Sequence, residues 1–217
     1  MKLRETAKSK IWFCSDSHYN HSNICSATSK WQEGSKVRNF PSLRGMNDSL
    51  VESINSRVME DDFLIHLGDW SFGGFDSIKE FRSRINCKNI ILILGNHDHH
   101  IERNKDNVQS IFSSVNYYLE LEVKRELTSG QMMTGAPSYI KFALMHYPIA
   151  SWNGISDGVI HLHGHVHFNP EEKFGPGKMM DVGFDGSEEF RPYSLTEVID
   201  LMKNRPTASL LKGDHHV

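Results

Sequence analysis

The chain has 217 residues and sets 24 Lys and Arg against 27 Asp and Glu, a net charge of −3 with His neutral, which excludes a protein that grips nucleic acid through a broad cationic surface. The length suits one domain over 1–217, because single cores split only beyond roughly 250–300 residues, and the polar ends, 1–9 and 206–217, are expected to be loose. No stretch approaches the ~20 apolar residues of a membrane span, and the N-terminus lacks a signal-peptide core, so a soluble, cytoplasmic protein with no membrane partner is expected.

In chain order, Ile11-Trp12-Phe13-Cys14 predicts a strand buried on both faces. Met46, Leu50, Ile54 and Val58 recur every fourth residue and predict an amphipathic helix. Phe63-Leu64-Ile65 is a second buried strand, and Ile78, Phe81 and Ile85 mark a helix with Asp76 as its N-cap. Ile90-Ile91-Leu92-Ile93-Leu94 is a third. Leu119, Leu121 and Val123 alternate with Glu120, Glu122 and Lys124, the pattern of a half-solvated strand. Phe142-Ala143-Leu144-Met145 and Val159-Ile160 complete the buried runs, and Ser194-Leu195-Thr196-Glu197 is a capping box opening a last helix through Met202. Strands covered by helices, with some antiparallel pairing, define an α/β protein.

Three cysteines without a CxxC pair imply neither a disulfide framework nor a thiolate zinc site, and Cys14 reads as buried and inert. The thirteen histidines need a cause. Many fall in clusters directly after the buried runs: Asp16-Ser17-His18, Gly68-Asp69, Gly95-Asn96-His97-Asp98, His146 and Gly164-His165-Val166-His167. The carboxyl edge of an α/β sheet is where loops converge on a ligand. Carboxylate, amide and imidazole donors without sulfur suit Mn, Fe, Zn or Ni, and there are enough here for two ions. Two such ions can share a hydroxide and clamp a phosphoryl group, with Asp69 as the bridging carboxylate.

The ordered set Asp16-x-His18, Gly68-Asp69, Gly95-Asn96-His97-Asp98, His146 and Gly164-His165-x-His167 resembles the metallophosphoesterase, or calcineurin-like phosphoesterase, superfamily over residues 11–184. The stretches His18 to Ile24, His146-Tyr147-Pro148-Ile149 with Trp152-Asn153-Gly154, and Leu162 to His165 resemble its small bacterial and phage branch. The resemblance implies a four-layer αββα sandwich. It gives Asp16, His18, Asp69 and His167 to one metal and Asp69, Asn96, His146 and His165 to the other. It also places His97 beside the scissile phosphate as transition-state stabiliser or proton donor, with Asp98 orienting the ring. The expected reaction is hydrolysis of a small phosphomonoester or phosphodiester, such as a nucleotide or cyclic nucleotide, through a metal-bridging hydroxide, with Mn the ion best suited to support it in vitro.

Two departures narrow that expectation. Gly68-Asp69 runs into Trp70-Ser71-Phe72-Gly73-Gly74, without the acid and substrate-clamping arginine of the protein-phosphatase branch. Nor is there length for the capping domain of the DNA-repair nucleases. A small nucleic-acid end-processing enzyme and a non-catalytic scaffold on the same fold are the alternatives; the filled ligand set opposes the scaffold.

Among the other histidines, His66 reads as a core residue, His99 and His100 as exposed, and His215 and His216 as tail residues without a role. His163 is either a satisfied strand histidine, the preferred reading, or a partner of a ligand; His21 either faces the phosphate or belongs to an ordinary loop. The loop 19–45 carries Lys30, Lys36, Arg38 and Arg44 against Glu33 and either adds a local positive field or is simply solvated. Its Trp31 or Phe40 could stack on a base.

Overall fold

The structure is a computed structural model and describes residues 1–32, 37–104, 108–169, 171–172, 175–187 and 189–208. Ten strands form two five-stranded mixed sheets. In the first, β2 (Ile11–Cys14), β3 (Phe63–His66), β4 (Asn89–Ile93) and β5 (Ser114–Asn116) run parallel in that order, and β10 (Tyr193–Ser194) pairs antiparallel with β2. In the second, β1 (Lys2–Glu5) lies parallel to β6 (Tyr118–Arg125), which pairs antiparallel with β7 (Tyr139–Met145); β8 (Ile160–His163) and β9 (Met179–Asp181) then continue parallel to β7. The chain is thus an α/β protein built on two mixed sheets.

Strand alternation sends one set of side chains from each sheet into a common core. Ile11, Phe13, Ile65, Ile91 and Ile93 meet Leu119, Leu121, Val123, Phe142, Leu144 and Leu162 there, so the sheets pack face to face. The opposite face of the first sheet, with Cys14, Leu64, Ile90 and Leu92, is covered by α1 (Leu43–Asn55) and α2 (Gly74–Arg84) through Leu50, Ile54, Ile78 and Phe81. Burial on both faces is why these strands read as unbroken apolar runs.

The outer face of the second sheet is covered more thinly. Trp152 and Ile155, around a short 3-10 turn, pack on Ala143 and Met179, while Glu120 and Lys124 of β6 stand exposed opposite their buried neighbours. The short helices α3 (His99–Arg103) and α4 (Ser129–Met133) lie in connections. α5 (Leu195–Met202) opens on the expected capping box, Ser194 accepting from the Glu197 N–H and the Glu197 carboxylate from the Ser194 N–H.

Three local expectations are corrected. Residues 2–5 are a paired strand rather than a loose end, because Leu3 packs on the core and the Glu5 carboxylate accepts from the buried Arg125 guanidinium at 2.9 Å. α2 starts three residues earlier than expected, with Gly73 in a left-handed N-cap and Asp76 in the first turn, where its charge favours the helix dipole. The last buried run extends through both histidines of β8 before Gly164 ends it. Of the C-terminal segment expected to be loose, 209–217 lies outside the described residues. No described helix is long and apolar enough to cross a membrane.

Candidate metal centre

The five clusters leave the carboxyl ends of β2, β3, β4, β7 and β8 and converge on one edge of the sandwich. Backbone bonds register the loops: Asp16 N–H donates to Gly68 O at 2.9 Å, His18 N–H to Asp69 O at 3.0 Å, and Gly164 N–H to His146 O at 2.9 Å. Asp16 Oδ2 accepts from the His165 N–H at 3.0 Å and so ties the two sheets together. Among the described residues, Asp16, His18, Asp69, His165 and His167 are left-handed, with φ from 47° to 72°. Such conformations cost roughly 1–3 kcal/mol each and persist where the surroundings over-determine them. Each fully buried Ile, Leu or Phe of the core beneath contributes about 1.5–3 kcal/mol, enough to hold these turns. Gly68 (φ +97°) completes the design, since a β-carbon there would sit 2.6 Å from both Gly95 N and His146 Nδ1.

Two groups of donor atoms result. Asp16, His18 and His167 offer atoms within 4.8 Å of one another, as do Asp16, Asp69 and His146. These groupings share Asp16, whereas the sequence reading made Asp69 the shared ligand. Asp69 nevertheless keeps a middle position, its Oδ2 lying 3.6 Å from His18 Nε2 and 3.6 Å from His146 Nε2. Asn96 Oδ1 lies 3.0 Å from His146 Nε2 and 2.9 Å from His165 Nδ1. Ligands bound at about 2.0–2.1 Å to one ion stand roughly 3.0–3.4 Å apart, so these spacings come close to a coordination shell.

The buried polar inventory fits a cation. Asp16 Oδ1 and His18 Nε2 are buried without a hydrogen-bond partner, an arrangement that costs about 1–3 kcal/mol per group, more when charged. Burial and the neighbouring Asp16 carboxylate push the Asp69 carboxyl up to about 7. Burial would raise Asp16 too, but the neighbouring His18 and His167 imidazoles hold it well below the usual carboxylate range. Ring tautomers point the same way: His146 Nδ1 donates to Leu67 O at 2.7 Å, leaving Nε2 free to ligate.

The profile of the calcineurin-like phosphoesterase family matches residues 9–186, taking in all five clusters. The chain belongs to that family. An uncharacterized protein of Methanocaldococcus jannaschii is 28% identical over 200 residues, covering 89% of this chain and 92% of its own. A protein of unknown function from Aquifex aeolicus shares the fold at a TM-score of 0.57 and 20% identity, over 89% of this chain and 99% of its own. A Pseudomonas putida nuclease reaches a TM-score of only 0.36 at 16% identity, over 79% of this chain and 74% of its own.

In this family member His18, Asp69, Asn96, His165 and His167 line a cleft of about 1040 Å³ together with His97, His21, Phe72 and Trp31. His97 is half-buried; its N–H donates to Asp69 Oδ1 at 2.9 Å and its Nε2 lies 3.9 Å from Asp69 Oδ2. Burial, then the His146 charge, lowers its pKa from the ordinary value. Asp98 departs from expectation. Its carboxylate accepts from the N–H groups of Asp69 (2.8 Å), Gly95 (2.8 Å) and Trp70 (2.9 Å), so it braces the loops after β3 and β4 instead of partnering the His97 ring.

The remaining polar residues sort by their contacts. His21 lines the cleft, stacked on Phe72 at 3.6 Å between ring centres. His66 is a core residue, accepting from Gly68 N–H at 3.2 Å and lying 2.8 Å from Ser17 Oγ. His163 is buried in β8 with Nδ1 3.0 Å from Gly164 O, but its Nε2 is partnerless, so it is only half satisfied. His99 and His100 are exposed.

Of the basic residues in the loop 19–45, none lines the cleft among the described residues. Arg38 is buried against Asp185 at 2.7 Å, Arg44 pairs with Asp48 at 3.6 Å, and Lys36 lies outside the described residues. Phe40 packs on Phe190, leaving Trp31 as the loop's aromatic residue on the cleft. Sequence reasoning missed Asp185, whose Oδ2 lies 2.6 Å from His167 Nδ1. Its signal was an acid just beyond β9, at the same sheet edge.

Proposed function

We propose that this chain is a two-metal phosphoesterase that hydrolyses a small phosphomonoester or phosphodiester, nucleotides and cyclic nucleotides included. Asp16, His18, Asp69 and His167 would hold one divalent ion and Asp69, Asn96, His146 and His165 the other, with Mn the ion best suited to support turnover in vitro. The observation that carries this reading is Asp69 Oδ2, 3.6 Å from a ring nitrogen of each set and beside the half-buried ring of His97. The ions would supply Lewis acidity that lowers the pKa of water and neutralises phosphoryl oxygens.

The chain's own residues do the rest. Asp69 Oδ1 holds the His97 backbone, and the ring reaches the cleft, where it donates to a phosphoryl or leaving oxygen. Phe72, His21 and Trp31 form an aromatic wall that excludes water and offers a surface for a planar group. With no Lys or Arg on the described walls, phosphate recognition falls to the ions and His97. Among the described residues of this cleft a long nucleic-acid strand finds no cationic track.

A screen of chromogenic monoesters and diesters, nucleotides and cyclic nucleotides in Mn, Fe(II), Zn and Ni tests the reading. Turnover of a small ester without cleavage of a labelled single strand is expected. Preferential processing of strand ends would move the function to nucleic-acid repair chemistry, and a metal-loaded chain inert toward every ester would leave a binding scaffold.

A further inference from the structure

The two donor sets are braced differently. On one side His146 is oriented by a backbone carbonyl, Leu67 O. On the other, His167 Nδ1 lies 2.6 Å from Asp185 Oδ2, and the same carboxylate is gripped by Arg38, with Nε 2.8 Å from Oδ1 and Nη2 2.7 Å from Oδ2. The remaining Arg38 donors go to the main chain of the first cluster, Nη1 to Ser17 O at 2.8 Å and Nη2 to Asp16 O. Those carbonyls flank the left-handed turn that presents Asp16 and His18. Arg38 is buried, its guanidinium 5.0 Å from the Phe190 ring centre, and its backbone pairs with Ile24 and Ser26. One planar fork therefore joins the main chain of the first cluster to the carboxylate that meets His167.

We propose that Arg38 and Asp185 are positioning residues for that donor set, so that its ion can be lost while the ion held by Asn96, His146 and His165 stays. This rests on the two-metal reading above. The physical reason is selectivity of orientation: a carboxylate accepting the Nδ1 proton turns His167 Nε2 toward the ion and raises its basicity, an effect that typically carries 10–100-fold in metal affinity. Lysine cannot replace Arg38, because an ammonium has neither the fork that meets both carboxylate oxygens nor the reach to two carbonyls at once.

Mn²⁺ titration of the metal-free full chain, followed by calorimetry and by electron paramagnetic resonance, tests the proposal. Wild type is expected to bind two ions with the spectrum of a spin-coupled pair. Asp185→Asn is expected to weaken one step by about 10–100-fold, leave the other within a few-fold, and show an isolated-ion spectrum at one equivalent. Arg38→Lys keeps a cation beside Asp185 and serves where Asp185→Asn fails to fold; it should shift the same step in the same direction, and Asp185→Glu should restore part of the loss. Equal weakening of both steps, or two unchanged steps in folded variants, would overturn the positioning role while leaving the two-metal reading intact. A wild-type chain that binds no ion would overturn both.

Discussion

On the two-metal proposal, replacing Asp69 with Asn is expected to remove bound metal and phosphoesterase turnover together. The neutral amide takes away the charge that lies 3.6 Å from a ligand nitrogen on either side, so both ions lose a donor at once, and the loss of affinity should exceed the roughly 100-fold attached to outer partners of a metal ligand. The metal-free variant should nevertheless fold. Burial and Asp16 hold the Asp69 carboxyl up at about 7; a carboxyl whose folded pKa lies above its unfolded value costs stability once the pH exceeds that unfolded value, in full above about 7. Asn escapes this cost and can still accept the His97 N–H. At pH 8 the metal-free variant is therefore expected to melt no lower than metal-free wild type by calorimetry, while metal raises the melting temperature of wild type alone. A variant that keeps metal, or one that unfolds, contradicts the assignment.

His97→Ala separates chemistry from metal binding. The ring touches the cleft, lies 3.9 Å from Asp69 Oδ2 and meets the His18 ring edge-on at 5.6 Å between centres, without belonging to either donor set, so metal content should stay at the wild-type level. Turnover of alkyl phosphoesters is expected to fall by about 10²–10⁴-fold, the usual contribution of a positioned acid, whereas nitrophenyl esters, whose leaving group needs little help from a proton, should lose less. Steady-state rates on the two ester classes with the metal-replete variant provide the comparison. An unchanged rate on the alkyl ester removes His97 from the reaction.

The parts of this molecule that could be read from sequence are those where residue type carries the chemistry. Asp, His and Asn directly after apolar runs mark a sheet edge, and the burial of β2, β3 and β4 on both faces makes those runs unmistakable. The alternation of β6 and the capping box of α5 were equally plain, because each depends on neighbours within a few residues. What escaped depends on distant partners. Arg38 looks like any loop cation until Asp185, 147 residues away, closes on it. Asp98 sits beside His97 in sequence, yet its carboxylate goes to three backbone N–H groups, two of them on the loop after β3. β1 is short and largely polar, and its pairing with β6, the packing of Leu3 on the core and the Glu5–Arg125 contact make it a strand.

Counting tightly bound ions in the wild-type chain tests the central claim most directly. After removal of all metal, reconstitution with Mn²⁺ or Zn²⁺ and desalting, elemental analysis is expected to find two ions per chain, with hydrolysis of a small phosphoester appearing as the second equivalent binds. Full turnover at one ion per chain, or no ion retained by the folded protein, would contradict it.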